Sequence, residues 1–266
     1  MKISTTFKAI RKAINHDKVR KSVDFSLPSM PMVNACRADE FDFFQPFIDS
    51  GRLTIEQMHH ACQRYLLGKT KSGQPIFWMI DDMFMPLDAH IGSTWISTLL
   101  KAREPLIASW QVTHCLFGLH LLSNTNLTNL TNLYPFNPSH PCSDYIACAN
   151  NSCYSCNSCS KEEPVICVIE SEKSALILSE LFPESLWMAY ATPTHFTPEL
   201  FAPLQGYSVI IYPRTDPVGD YYLASLELAD QVRRLYHLDI TVDSTLEDYA
   251  SPSQKSREID LLDFLL

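Results

Sequence analysis

Glycine is scarce in this sequence. Seven glycines occur in 266 residues, under half of the roughly 7% found in average usage. No two of them are arranged as G-x-G, which excludes nucleotide sites built on glycine-rich loops. Gly68-Lys69-Thr70 ends like a P-loop, but the glycine needed five positions before Gly68 is Gln63. Long apolar runs are also missing: nothing approaches the ~18 uninterrupted apolar residues of a membrane span. The basic start is not followed by the apolar run of about 7–15 residues that marks a secretory signal. A cytoplasmic chain with no membrane partner is therefore expected. No G-x-S-x-G, no H-E-x-x-H and no Cys–His nucleophile pattern appears. What remains, 46% hydrophobic and 19% charged, suits one large or two modest globular domains with a buried core.

Positive charge is short overall and unevenly placed. The formal net charge is −9, so the chain as a whole repels phosphate backbones. Residues 1–21 carry seven Lys and Arg against Asp17, a net of +6, which leaves −15 on residues 22–266. Ile3, Phe7, Ile10 and Ile14 fall near helical spacing within that basic segment. A short amphipathic helix there would face phosphate, anionic lipid or the acidic body of its own chain. A frayed or intramolecularly docked terminal helix is the plainer reading of the same residues.

Nine cysteines is an odd number, and a chain of this length needs no disulfide staples. Cys36, Cys62, Cys115 and Cys167 sit among apolar neighbours and read as small core residues. Cys142, Cys148, Cys153, Cys156 and Cys159 instead cluster within 18 positions. Tetrahedral zinc needs four ligands, and Cys153, Cys156 and Cys159 with Cys148 or Cys142 would supply them, with His140 as a substitute. The C-x-x-C-x-x-C run also matches part of an iron–sulfur pattern but lacks its closing Cys-Pro. The competing reading is an unstructured Asn/Ser/Cys-biased loop, because three Thr-Asn-Leu triplets from Thr125 to Leu133 precede the cysteines. The lone histidines His59 and His60 on a helix, His114 and His120 near a strand, and His195 in a loop read as solvated or satisfied core residues.

Four regions follow. Residues 1–34 form the basic segment and a linker, Leu27-Pro-Ser-Met-Pro31, whose two prolines disfavour helix. Residues 35–122 form a small α+β region. In it, Thr54 with Gln57 makes a capping box for a helix with Ile55, Met58, Cys62, Tyr65 and Leu66 on one face and Gly68 just past its end. A strand is predicted from Pro75 to Asp81. Residues 123–163 are a low-complexity, cysteine-rich insertion. Residues 164–266 read as alternating strands and helices: strands at 165–169, 186–190, 207–212 and 238–242, and helices at 173–181, 197–204 and 219–236, the last with Tyr222, Leu226, Ala229 and Val232 inward. Such alternation predicts an α/β fold with a parallel sheet and functional residues beyond the strands' carboxyl ends. Those ends are Glu170-Ser171-Glu172 and Pro213-Arg214-Thr215-Asp216.

Val168-Ile-Glu-Ser-Glu-Lys-Ser-Ala-Leu176 resembles the first motif of the Toprim (topoisomerase–primase) fold, a strand ending in a glutamate within V-E-G-x-x-D/S-A. Arg214-Thr215-Asp216-Pro217-Val218-Gly219 is similar to its second motif, D-x-D-x-x-G. Phe77–Asp81, Thr94-Trp-Ile, Cys115–Leu122 and Asp260–Leu266 are similar, at lower specificity, to segments of primase-like Toprim proteins of bacterial mobile elements. The resemblance covers most of residues 40–266 apart from the insertion, and it lacks the N-terminal cysteine zinc ribbon common in such proteins.

The resemblance implies that Glu170 is the acid/base glutamate and Asp216 the second aspartate of a metal pair. The first aspartate is Arg214, and the glycine after the glutamate is Ser171. A formal site charge of −3 becomes −1, with a cation where Mg²⁺ would sit. At about 4 Å and an effective dielectric near 20 each unit pair is worth on the order of 4 kcal/mol before screening, so a family-type two-aspartate site is not expected. Arg214 can pair with Glu170 or Asp216, or grip phosphate with its planar fork, with Lys173 beside it as a second phosphate-binding candidate. Asp216 and Asp220 can equally serve as helix N-terminal caps, and Glu172 and Lys173 as ordinary first-turn residues. The resulting expectation is a degenerate, primase-related protein that binds nucleic acid through its basic N-terminus or the Toprim-like face. Two alternatives stand beside it: an active phosphoryl-transfer enzyme with Glu170, Glu172 and Asp216 on one Mg²⁺, and an interaction module tied by zinc at Cys148, Cys153, Cys156 and Cys159.

Overall fold

The computed structural model describes residues 28–102, 112–123 and 164–266. The basic segment before residue 28 and the cysteine-rich insertion, with Cys148, Cys153, Cys156 and Cys159, lie outside the described residues.

The first described element is helix α1 (Met30–Cys36), where the sequence suggested an extended linker. Pro31 sits in the first turn, a position whose backbone N–H has no intrahelical acceptor anyway, so the proline costs little there. A 3₁₀ turn (Asp42–Phe44) and α2 (Gln45–Asp49) lead to α3 (Ile55–Arg64). The capping box on α3 is present in both directions: Gln57 N–H donates to Thr54 Oγ1, and Thr54 N–H donates to Gln57 Oε1. Two details differ from the periodicity reading. Ile55 is exposed, because the buried face runs through Met58, Ala61 and Cys62. The left-handed residue after the helix is Leu66 (φ 56°) rather than Gly68. Gly68 is in β1 (Gly68–Lys69), where an added Cβ would lie 2.8 Å from Trp78 Nε1.

Strands β1, β2 (Pro75–Ile80), β3 (Pro86–Ile91) and β4 (Thr94–Trp95) form an antiparallel sheet in sequence order. The alternation of β2 divides its side chains between two cores: Phe77 and Met79 face the main one, while Ile76, Trp78 and Ile80 pack with Val33, Ala89 and Ile96 on the other side. Helix α4 (Ile96–Lys101) follows β4 directly.

The C-terminal half is α/β, as the alternation predicts. Strands β5 (Ile166–Ile169), β6 (Leu186–Ala189), β7 (Ser208–Ile211) and β8 (Asp239–Val242) make a parallel sheet in the order β6-β5-β7-β8. All four residues of central β5 are buried, which explains its uninterrupted apolar run. Helix α5 (Glu172–Leu181) joins β5 to β6. The crossover from β6 to β7 is a 3₁₀ stretch (Pro198–Leu204) rather than an α-helix; Pro203 inside it has no N–H to donate to an i→i−4 ladder. Helix α6 (Asp220–Tyr236) joins β7 to β8 and buries Ser225, Leu228, Ala229 and Val232. Leu226, expected inward, is 38% exposed. Helices α7 (Thr245–Tyr249), α8 (Pro252–Ser256) and α9 (Leu261–Leu265) close the chain.

One core unites the halves, running from Phe41 and Tyr65 through Phe117 to the parallel sheet and Leu262. Segment 115–122 pairs with the free edge of β6, with reciprocal backbone hydrogen bonds between Phe117 and Ala189 at 2.8 and 3.1 Å. Tyr65 stacks on Phe117 at 5.2 Å and donates its hydroxyl to the Trp187 carbonyl at 2.7 Å. Each fully buried Leu, Ile or Phe in this core contributes about 1.5–3 kcal/mol. The linked halves hold the carboxyl ends of β5 and β7 in a fixed relation.

Candidate functional site

In the order β6-β5-β7-β8 the chain leaves β5 toward one side of the sheet and leaves β7 toward the other. The crevice between their carboxyl ends is therefore the topological switch point, where open α/β sheets bind ligands. Glu170 is the first residue after β5, and Arg214 and Asp216 lie in the loop after β7. Backbone bonds continue past the strands to fix both loops: Ala191 N–H donates to the Glu170 carbonyl at 3.0 Å, and Thr215 N–H to the Ile259 carbonyl at 2.9 Å. The second bond lays the C-terminal segment against the loop after β7.

Arg214 bridges the crevice. Its Nη1 donates to Glu170 Oε1 at 3.4 Å, and its Nη2 to Glu258 Oε2 at 3.0 Å and to the Glu258 carbonyl at 3.1 Å. The guanidinium also lies over the Tyr221 ring, 5.1 Å from its centroid. Of the pairings open to it in the sequence, the structure makes the one with Glu170 and adds Glu258. A phosphate approaching this guanidinium competes with the two carboxylates it already holds. Burial pushes the Glu170 carboxyl above its ordinary pKa, with the Arg214 cation and the Tyr190 hydroxyl opposing the shift and Asp260 reinforcing it. Its second oxygen, Oε2, is buried and makes no close hydrogen bond, with the Tyr190 hydroxyl as the polar group beside the carboxyl.

Asp216 serves the helix. Its Oδ1 accepts from the backbone N–H groups of Val218, Gly219 and Asp220 at 2.9, 2.9 and 3.2 Å, and its Oδ2 from Tyr221 N–H at 2.9 Å. Burial alone would raise its pKa; the four N–H groups outweigh that and hold the carboxyl below the usual range. Gly219 (φ 81°) makes the left-handed turn this wrap requires. Both oxygens of the position that resembles a metal ligand are thus engaged in capping α6.

Glu172 and Lys173 turn away toward the N-terminal half. Glu172 is buried and bonds His90 Nδ1 at 2.7 Å, while the Lys173 ammonium lies over the Phe43 ring at 5.7 Å. Glu170, Glu172 and Asp216 are not brought together, and among the described residues no three or more His, Cys, Asp and Glu are grouped to hold a metal ion.

Sequence reasoning missed Glu258, Asp260, Tyr190 and His90. Asp260 caps α9, accepts from the Ser174 hydroxyl, and has its pKa raised chiefly by burial. Its signal was legible: Asp260 and Asp263 have capping-box spacing just before an apolar turn. Glu258 carries no comparable sequence signal. His90, Trp95, His114 and His195 form a ring cluster beside Glu172, with His114 and His195 at 3.9 Å between centroids.

Buried imidazoles make the fold acid-sensitive. Burial drives His120, 1% exposed, and His114 down to a pKa of about 4. The unfolded chain, with imidazole pKa near 6.5, takes up protons first, so the stability is full above about pH 6.5 and is lost as pH falls toward 4. His120 alone is expected to cost about 2 kcal/mol between pH 6.5 and 5. The raised carboxyls of Glu170, Asp88 and Asp260 act in the opposite sense at lower pH, because the folded state then holds their protons more tightly. Urea midpoints at pH 7 and 5 check this: the drop should shrink in His120→Gln, and an unchanged drop would contradict it.

A protein-family model described as a domain of unknown function (DUF6371) matches residues 150–215. That span carries Glu170 and Arg214 and stops one residue short of Asp216. No curated protein matches the chain, and no solved structure does either.

Proposed function

We propose that this chain is a Toprim-like, primase-related protein of nucleic-acid metabolism whose catalytic centre has become a structural one, so that it acts as a binding or accessory protein. The observation that carries this reading is the position of Arg214 at the switch point, where its cation joins Glu170 and Glu258 in the place that the resemblance gives to Mg²⁺. The engagement of Asp216 with four backbone N–H groups supports it. Nucleic acid then meets the +6 N-terminal segment rather than the acidic body.

Fluorescence anisotropy with a labelled 30-nucleotide single strand tests the binding claim. The full chain is expected to bind with an affinity that falls steeply between 50 and 200 mM salt, as several released counterions require. Removal of residues 1–21 should weaken binding at least tenfold and flatten the salt dependence. Absence of binding by the full chain would overturn the proposal, and unchanged binding after the deletion would move the interface to the body.

One observation favours a second reading, an active metal-dependent phosphoryl-transfer enzyme: Glu170 combines a raised pKa with a buried oxygen outside the Arg214 pair, as an acid/base group would. Primer synthesis or nuclease activity that is abolished by Glu170→Gln would select it.

A further inference from the structure

A cavity of about 450 Å³ opens between the loop after β6 and helix α6. Its wall on the loop side is apolar and rigid: Pro193 and Pro198 fix the backbone, and Phe196 is stacked on Tyr190 at 4.1 Å between centroids. The facing wall is a row of α6 residues at i, i+4, i+7 and i+11: Asp220, Ala224, Glu227 and Gln231. The small Ala224 leaves a gap between the two carboxylates. No Lys, Arg or His lines the cavity. Among the described residues neither Asp220 nor Glu227 has an ion-pair partner.

We propose that this cavity binds a guanidinium cation, the arginine side chain of a basic peptide, with Phe196 against its flat face and Glu227 and Asp220 as its acceptors; the Tyr221 ring beside them already carries the Arg214 guanidinium. Three physical requirements of a guanidinium coincide here. It is flat and weakly hydrated, so it stacks on aromatic rings at little desolvation cost. Its N–H fork seeks carboxylates, and two uncompensated ones stand on one wall. Its approach is favoured by the charge of residues 22–266, −15 in sum. The same carboxylates disfavour a phosphate-bearing ligand. The wall residues are held by the folded core: Tyr190 is 5% exposed, and Leu228 and Ser225 anchor the floor. The site is therefore preformed, as small-ligand cavities usually are. This inference is independent of the nucleic-acid reading.

Calorimetric titration of the full chain tests it with acetyl-Gly-Arg-Gly-amide, its citrulline twin and agmatine. Citrulline keeps the shape of arginine and removes the charge. The arginine peptide is expected to bind at least tenfold more tightly than the citrulline peptide, and more tightly than agmatine. Glu227→Gln and Asp220→Asn, both at exposed positions, should each weaken it about fivefold while leaving the melting temperature unchanged. Equal binding of the two peptides, or no binding of either, would overturn the guanidinium site. Agmatine binding as tightly as the peptide would overturn the peptide assignment.

Discussion

Arg214→Asp is expected to create a divalent-cation site at the switch point. In the present site one guanidinium sits between two carboxylates, Glu170 and Glu258, with Asp260 close enough to raise the Glu170 pKa. The substitution removes one positive charge and adds one negative, leaving three carboxylates around the same space. At about 4 Å and an effective dielectric near 20 each unit pair is worth on the order of 4 kcal/mol before screening. Even after heavy screening, Mn²⁺ affinity should rise at least a hundredfold. Without metal the variant should lose about 3 kcal/mol, because the Glu170 side chain is only 15% exposed and loses its partner. Thermal melts with and without 10 mM MnCl₂ read both effects. The variant should melt lower and recover with Mn²⁺, while Arg214→Gln, which removes the pair without adding charge, should melt lower and not recover. Catalysis is not expected to return, since both Asp216 oxygens remain bound to the α6 backbone.

Asp216→Ala should be among the most destabilising substitutions outside the core. Its carboxylate accepts four backbone N–H bonds at the start of a 17-residue helix, and it is 5% exposed. An ordinary N-cap loss costs about 1 kcal/mol. Here several N–H groups are orphaned together in a partly dry setting, so a loss of about 4 kcal/mol is expected. Asp216→Asn should retain part of it through the remaining carbonyl oxygen. The contrasting substitution is Glu170→Gln: burial works against the carboxylate charge, the amide keeps the side-chain shape, and Arg214 retains Glu258, so stability should change by less than about 1 kcal/mol. Denaturant titrations of the three variants check the ranking. An Asp216→Ala protein as stable as the parent would contradict the capping role.

The parallel sheet was legible because its cues are local. The buried run before Glu170 and the strand–loop–helix spacing around Asp216 each lie within a few residues, as does the Thr54–Gln57 box that marks α3 in the other half. The same locality explains the misreadings. Leu226 and Ile55 fit a 3.6-residue stripe, yet the neighbouring elements select a face rotated from it, through Leu228 in one helix and Ala61 in the other. Pro31 was read as a breaker because its effect depends on whether it falls in the first turn, which the sequence does not mark. At the site, Asp216 supported two readings, metal position or cap, and only the directions of four N–H groups separate them. The partners of Arg214 and Glu172 lie 44 and 82 residues away, at Glu258 and His90, and no periodicity carries information over that range. The count of seven glycines did locate one functional turn: Gly219, at φ 81°, lets the chain fold around the Asp216 carboxylate.

The central claim, that a guanidinium has replaced the metal, is tested most directly by Mn²⁺ titration of the unmodified protein followed by electron paramagnetic resonance of the free ion. The expected result is no site tighter than about 1 mM at the switch point, since Arg214 contributes a repelling unit charge there. A stoichiometric micromolar site that disappears in Glu170→Gln while the fold is retained would contradict the account.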